Sequence, residues 1–165
     1  MKQSLLFLTL FFYSTFASAL NPPIKTPEDI IGCWERINFS KDAQDKINEI
    51  EPWPGRYQWF CFDADGNFSS MASTRPQNVT SKSLQEAFAI LPKETKYTII
   101  QRGIVKTVQI FQNSTSKQII HWGANFLGRS VFFDNKTIKK GTLIMSIYDP
   151  EKQKNVYHRY MIKIS

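Results

Sequence analysis

The sequence predicts an all-β protein, an antiparallel up-and-down barrel of about eight to ten strands with one short α-helix at about 83–91 packed on it. Three observations predict it. From Lys96 onward, short runs rich in β-branched and aromatic residues alternate with turn signals. The segment 56–73, RYQWFCFDADGNFSSMAS, reads as two strands joined by a tight turn. After the amino-terminal segment, the clear helical spacing runs from Ser83 to Leu91 and stops at Pro92.

The first nineteen residues carry one charge at Lys2, an apolar run from Leu5 to Tyr13, and small residues at Ala17, Ser18 and Ala19. That pattern predicts a secretory signal peptide cut after about Ala19. It is too short and wrongly flanked for a membrane span, and no cysteine follows the cut to carry a lipid anchor. The expected product is secreted or periplasmic, has no transmembrane segment, and at about 145 residues makes one domain. Residues 20–27, rich in proline, are expected to be an extended lead-in without packed structure, and 28–165 the domain. The net charge of +7 falls to about +6 once Lys2 is removed, which favours acidic partners. The basic residues are scattered, apart from Lys136, Lys139 and Lys140 and the Lys152/Lys154 turn, so no nucleic-acid interface is expected.

Residues 31–39 read as the first strand. Residues 40–55 form a polar connection in which Ile47 and Ile50 make one apolar edge of a short helix. Pairing 31–39 antiparallel with 57–63 so that Cys33 faces Cys61 sets Trp34 opposite Phe60, Gly32 opposite Phe62 and Ile37 opposite Tyr57. Two cysteines in an exported chain most simply form a disulfide, and closing a loop of about 28 residues stabilises by roughly 3 to 4 kcal/mol. The turn Asp63-Ala64-Asp65-Gly66-Asn67 then brings Phe62 opposite Phe68. Trp34, Phe60, Phe62, Phe68, Ser70 and Ala72 share one face, whose mixture of large and small side chains suits a barrel interior. Cys33, Cys61, Tyr57, Trp59 and Met71 share the other, too apolar to be simply solvated. Either the 40–55 connection or the helix covers it, or Tyr57, Trp59 and Met71 form an interaction patch.

The helix has capping-box spacing at Ser83 to Glu86, and Leu84, Ala87, Phe88 and Leu91 on one stripe. A helix this short must dock on the barrel. Strands follow at 97–101, 104–112, 118–122, 130–133, 142–149 and 156–164, separated by breaks at 102–103, 113–116, 127–129, 135–141 and 150–155. Pairing Tyr148 with Val156 puts Leu143, Met145 and Ile147 on one face with Tyr157, Arg159 and Met161. An arginine on such a face is costly unless stacked or paired.

Gly32-Cys33-Trp34 at the start of the first strand, and Arg159 in the last as an arginine that stacks on that tryptophan across the barrel end, resemble the lipocalins. The turn from Phe62 to Phe68 is closer to the bacterial lipocalin-like domains. The Thr-Asp-Tyr type motif of that family is missing, and the cysteines join neighbouring strands, which departs from its usual bridge. The resemblance implies a barrel closed at one end, with any small apolar ligand inside.

Chemistry-bearing motifs are sparse. The Asp63–Asn67 stretch begins like a calcium loop, but Thr74 stands where a glutamate is required, so a hairpin turn is expected and no metal site. His121 and His158 lie in strands and read as structural or surface residues, with no cofactor expected. No nucleophile elbow, paired histidines, phosphate loop or dinucleotide fingerprint occurs, and Glu35, opposite Trp59, reads as an ion-pair partner. A non-enzymatic protein is expected. Asn38, Asn67, Asn78, Asn113 and Asn135 each begin an Asn-x-Ser/Thr sequon, a glycan acceptor only in a eukaryotic secretory route.

The expected function is an exported binding protein that holds a small apolar or amphipathic ligand among Trp34, Phe60, Phe62, Phe68, Tyr157 and Arg159. The alternative is an exported protein-interaction or inhibitor module with a filled barrel, working through Tyr57, Trp59 and Met71. A lined cavity with the Trp59 face covered favours the first, and a solid core with that face exposed favours the second.

Overall fold

A computed structural model describes residues 21–53, 55–102, 105–112 and 120–165. The signal-peptide expectation, Gly103 of the break expected at 102–103, and the 113–116 break with its Asn113 sequon lie outside the described residues. The elements in order are β1 (Gly32–Arg36), α1 (Lys41–Ile47), β2 (Tyr57–Phe62), β3 (Phe68–Ser73), α2 (Ser81–Ala89), β4 (Thr95–Arg102), β5 (Val105–Gln112), β6 (Ile120–Phe126), β7 (Val131–Phe133), β8 (Lys136–Ile138), β9 (Leu143–Asp149) and β10 (Lys154–Lys163). Eight strands form one antiparallel sheet in the order β3-β2-β1-β10-β9-β6-β5-β4, and β7 and β8 form a separate hairpin. The large sheet curls into a nearly closed barrel. Its two edge strands meet where Asn67 bridges Lys96 and the Tyr97 N–H donates to the Gly66 carbonyl at 2.8 Å. No ladder joins β3 to β4 along the rest of that seam among the described residues.

The register of the first hairpins is the one that side-chain complementarity demands. Cys33 faces Cys61, Trp34 faces Phe60, Gly32 faces Phe62 and Phe62 faces Phe68. The Cys33–Cys61 disulfide is formed, with the two Cα atoms 4.1 Å apart. The predicted strand at 31–39 ends sooner, at Arg36, and its pairing with β2 runs as far as Glu35 opposite Trp59. Ile37 turns instead toward β10, its N–H donating to the Tyr160 carbonyl at 2.8 Å. Its side chain joins a cluster formed by Phe39, Ala43, Leu127, Ile138 and Ile144, where α1 and the β7–β8 hairpin cover the outer face of the barrel. β8 occupies part of the stretch expected to be only a break, because Asp134 and Asn135 both take positive φ and turn the chain back on itself.

The β9–β10 hairpin pairs Tyr157 with Ile147, Arg159 with Met145 and Met161 with Leu143, as the alternation requires. A bulge at Val156 sets Asn155, rather than Val156, opposite Tyr148.

α2 starts two residues before the expected position. Thr80 is the true cap: its Oγ1 accepts from the Ser83 N–H at 3.1 Å, and the Ser83 Oγ accepts from the Thr80 N–H at 2.9 Å. Only Leu84 and Phe88 of the expected stripe are buried, and Leu91 is half exposed. These two side chains pack with Cys33 and Trp59, and with Tyr57, Cys61 and Met71 at the edges. Trp59 is 0% exposed, so the outer face expected as a possible interaction patch is roofed by α2. An indole in the middle of a strand leaves too much apolar surface for a single layer to hide, and the helix supplies the second layer.

The lead-in is packed, contrary to expectation. Pro23 bridges Asn125, the Phe126 N–H donates to the Pro22 carbonyl at 2.8 Å, and Ile24 is completely buried in the main core. Prolines at 22 and 23 have no N–H to donate, so this segment joins the end of β6 through the Pro22 carbonyl as acceptor and the Ile24 N–H, which donates to the Ala124 carbonyl at 3.4 Å. It continues into a short 3-10 turn, Pro27–Asp29, and Ile30 plugs the same end of the barrel.

Candidate ligand-binding site

The two ends of the barrel are built differently. At the plugged end, the Trp34 indole N–H donates to the Ile30 carbonyl at 2.7 Å, and its ring lies 6.4 Å from Phe126. The cation over Trp34 is Lys163, 5.6 Å from the ring, and not Arg159 as expected. β10 pairs Trp34 with Lys163, which places Arg159 four residues along the strand, toward the other end. Gly32 makes this closure possible. Its φ is +122°, and a Cβ there would stand 2.7 Å from the Lys163 side chain.

At the other end, Arg159 is 4% exposed and surrounded by rings. Its guanidinium carbon lies 4.2 Å from the centroid of Phe60, 4.8 Å from Trp53, 4.8 Å from Trp122 and 5.6 Å from Tyr157. Trp53 comes from the 40–55 connection, folds over the barrel mouth and stacks on Trp122 at 5.3 Å. Burial pushes the Arg159 pKa below the ordinary arginine value, opposed by the neighbouring Tyr157 and Glu51 and reinforced by Arg36. Burial likewise pushes the Tyr157 phenol up.

A second buried guanidinium, Arg36, is 6% exposed and is satisfied by Glu51, at 2.7 Å through Nη2 and 3.3 Å through Nη1. The Tyr157 hydroxyl donates to the same carboxylate at 3.3 Å. Glu51 thus ties the covering connection to β1 and β10.

A cavity of about 370 Å³ opens beside these groups. Its walls are Trp53, Gln58, Phe60, Ile110, Trp122 and Arg159, and its mouth is Phe68, Ser70, Met71 and Ala72 of the β3 edge. Ser70 and Ala72, placed on the inner face by the sequence, are exposed because they line this mouth. The opening follows from the incomplete β3–β4 seam, where no ladder closes the wall.

Of the residues expected to form a binding site, Phe60, Phe68 and Arg159 line the cavity, and Tyr157 lies directly behind it, 5.5 Å from Trp53. Phe62 sits deeper, packed on Phe68 and Tyr97 at 5.1 Å each. Trp34 belongs to the plugged end and does not contribute. Trp53, Gln58, Trp122 and Ile110 were not anticipated. Gln58 could have been found by its period-two relation to Phe60, whereas Trp53 has no periodic signal because it comes from a loop.

Several buried polar atoms on these walls have no hydrogen-bond partner: Arg159 Nε, Trp122 Nε1 and Gln58 Oε1. The Gln58 amide nitrogen is satisfied, donating to the Gly55 carbonyl at 2.9 Å.

The remaining motifs are structural. Asp63 accepts from the Asp65 N–H at 2.9 Å, the Asn67 N–H at 2.8 Å and the Asn67 side chain at 2.6 Å. Asn67 is therefore a buried turn residue and not an accessible sequon. His158 lies outside the barrel, 2.8 Å from Ser146 Oγ, its backbone clasped by the Asn48 side chain. His121 is 3.5 Å from the Gln109 amide. Among the described residues no three His, Cys, Asp or Glu side chains are grouped to hold a metal ion, and no helix is long and apolar enough to cross a membrane. No protein-family model, curated protein or solved structure matches the chain.

Proposed function

We propose that this is an exported, lipocalin-like binding protein that takes a small apolar or amphipathic molecule into the cavity beside Arg159. The observation that carries the reading is that an apolar-walled space of about 370 Å³ opens at the β3 edge while the Trp59 face is covered. That volume lies within the range of roughly 300 to 1,000 Å³ typical of ligand sites. The exchange of a closing arginine for Lys163 over Trp34 keeps the end-stacking chemistry of the lipocalin resemblance and leaves Arg159 for the interior. A disulfide between Cys33 and Cys61 suits an oxidising compartment, which supports export. Burial at about 0.8 kcal/mol per methylene supplies micromolar affinity from a modest apolar chain, so binding needs no catalytic group.

Native mass spectrometry of the protein purified from its own host, followed by solvent extraction, tests this reading. A stoichiometric lipid-like mass is the expected result. A bare polypeptide whose cavity takes up no added amphiphile would instead indicate a filled barrel.

A further inference from the structure

The charges around the cavity do not balance. Two guanidiniums, Arg36 and Arg159, are each at least nine-tenths buried, and a single carboxylate, Glu51, faces them. Both Glu51 oxygens are already engaged, one by Arg36 alone and the other by Arg36 and the Tyr157 hydroxyl. Among the described residues no carboxylate reaches ion-pair distance of Arg159. An arginine stays protonated in a protein, so the pocket holds one uncompensated positive charge.

The rings around Arg159 compensate this charge chiefly through their faces. Cation–π contacts act on the faces of the guanidinium and are worth about 0.5 to 2 kcal/mol each. The Tyr157 hydroxyl offers an acceptor to the guanidinium, but Arg159 Nε is left without a partner. Trp122 Nε1 on the same wall is a second unpartnered donor, against one unpartnered acceptor, Gln58 Oε1. A flat cation with stacked faces and an unpartnered Nε on its edge is the complement of a carboxylate, which meets the fork in its plane.

We infer that the ligand is an amphiphile bearing one negative charge, its carboxylate head on Arg159 and its apolar part against Phe68 and Ile110. This rests on the reading of the cavity as a binding site and assigns the chemical class of what enters it. The head neutralises the buried cation, and the uncharged analogue of the same length leaves it exposed to an apolar wall.

Isothermal titration with octanoate and octan-1-ol, on the intact oxidised protein and on Arg159→Met, tests the assignment. The native protein should bind octanoate at least about tenfold more tightly than the alcohol. In Arg159→Met the ratio of octanoate to octan-1-ol affinity should fall to near one. Equal affinities in the native protein overturn the anionic head while leaving the cavity reading in place. A preference that survives in Arg159→Met overturns the role of Arg159. Binding of neither probe overturns the cavity reading, and this inference with it. Because the comparison of the two probes needs only the native protein, it stands even if the variant does not fold.

Discussion

Arg159 of β10 and Trp53 of the connection between α1 and β2 are held 4.8 Å apart, guanidinium carbon to ring centroid, although they are far apart in the sequence. This contact fastens a loop over the mouth of the barrel and sets the loop's position by the charge inside. Trp53 also stacks on Trp122, so the loop touches two of the cavity walls.

Replacing Trp53 with Ala should therefore affect the mouth more than the fold. Only part of the side chain is buried, and the expected loss in denaturant unfolding is about 1 to 2 kcal/mol. Ligand dissociation measured by stopped-flow should accelerate several-fold, because the loop loses both of its ring contacts. An unchanged dissociation rate would show that Trp53 does not gate the site.

At the plugged end, Lys163→Ala removes the cation over Trp34 and should cost about 0.5 to 1 kcal/mol. Gly32→Ala should cost more, about 1 to 3 kcal/mol, because φ of +122° disfavours any side chain. Combining the two relieves the contact with Lys163 but not the backbone, so the double variant should remain less stable than Lys163→Ala alone. Urea unfolding of the three variants checks the order.

Roofing of the Trp59 face by α2 is testable by fluorescence. Leu84→Ala deletes a fully buried side chain of the helix and should cost about 2 to 4 kcal/mol. The emission of Trp59 should shift to the red as its cover loosens. Thr80→Ala removes only the cap and should cost about 1 kcal/mol with no spectral change.

Removing the disulfide by Cys33→Ala with Cys61→Ala should lower stability by about 3 to 4 kcal/mol on the chain-entropy account. Peptide mapping under non-reducing conditions should recover the two cysteines in one linked fragment.

His158 gives the protein an acid-side slope. Burial depresses its pKa below the ordinary value, so the unfolded chain binds the proton first as pH falls. Its contribution to stability is complete above the unfolded value of about 6.5 and is lost as pH falls from there through the folded value. Stability measured between about pH 7 and 5 should fall less steeply in His158→Gln than in the native protein.

Local alternation carries a great deal of this structure. Once Cys33 is set opposite Cys61, period-two geometry dictates that Trp34, Phe60 and Phe62 face inward and Trp59 outward, because a slip of one residue would invert every side chain. The same rule put Arg159 on the inner face with Tyr157 and Met161. The helix, the bridge between adjacent strands and the strand-rich second half are legible for the same reason, since each depends on neighbours in sequence or on one hairpin.

Only the tertiary structure decided the rest. How far along the barrel Arg159 sits from Trp34 depends on the stagger between β1 and β10, which pairs Trp34 with Lys163 and is not written in either strand. Covering of Trp59 by α2, burial of Ile24 in the core and arrival of Trp53 at the mouth are contacts between segments far apart in sequence, made by elements with no periodic signal of their destination. The cavity itself arises from a seam that β3 and β4 close only near Asn67 and Lys96, and strand alternation, being the same in a sealed wall and an open one, cannot distinguish them.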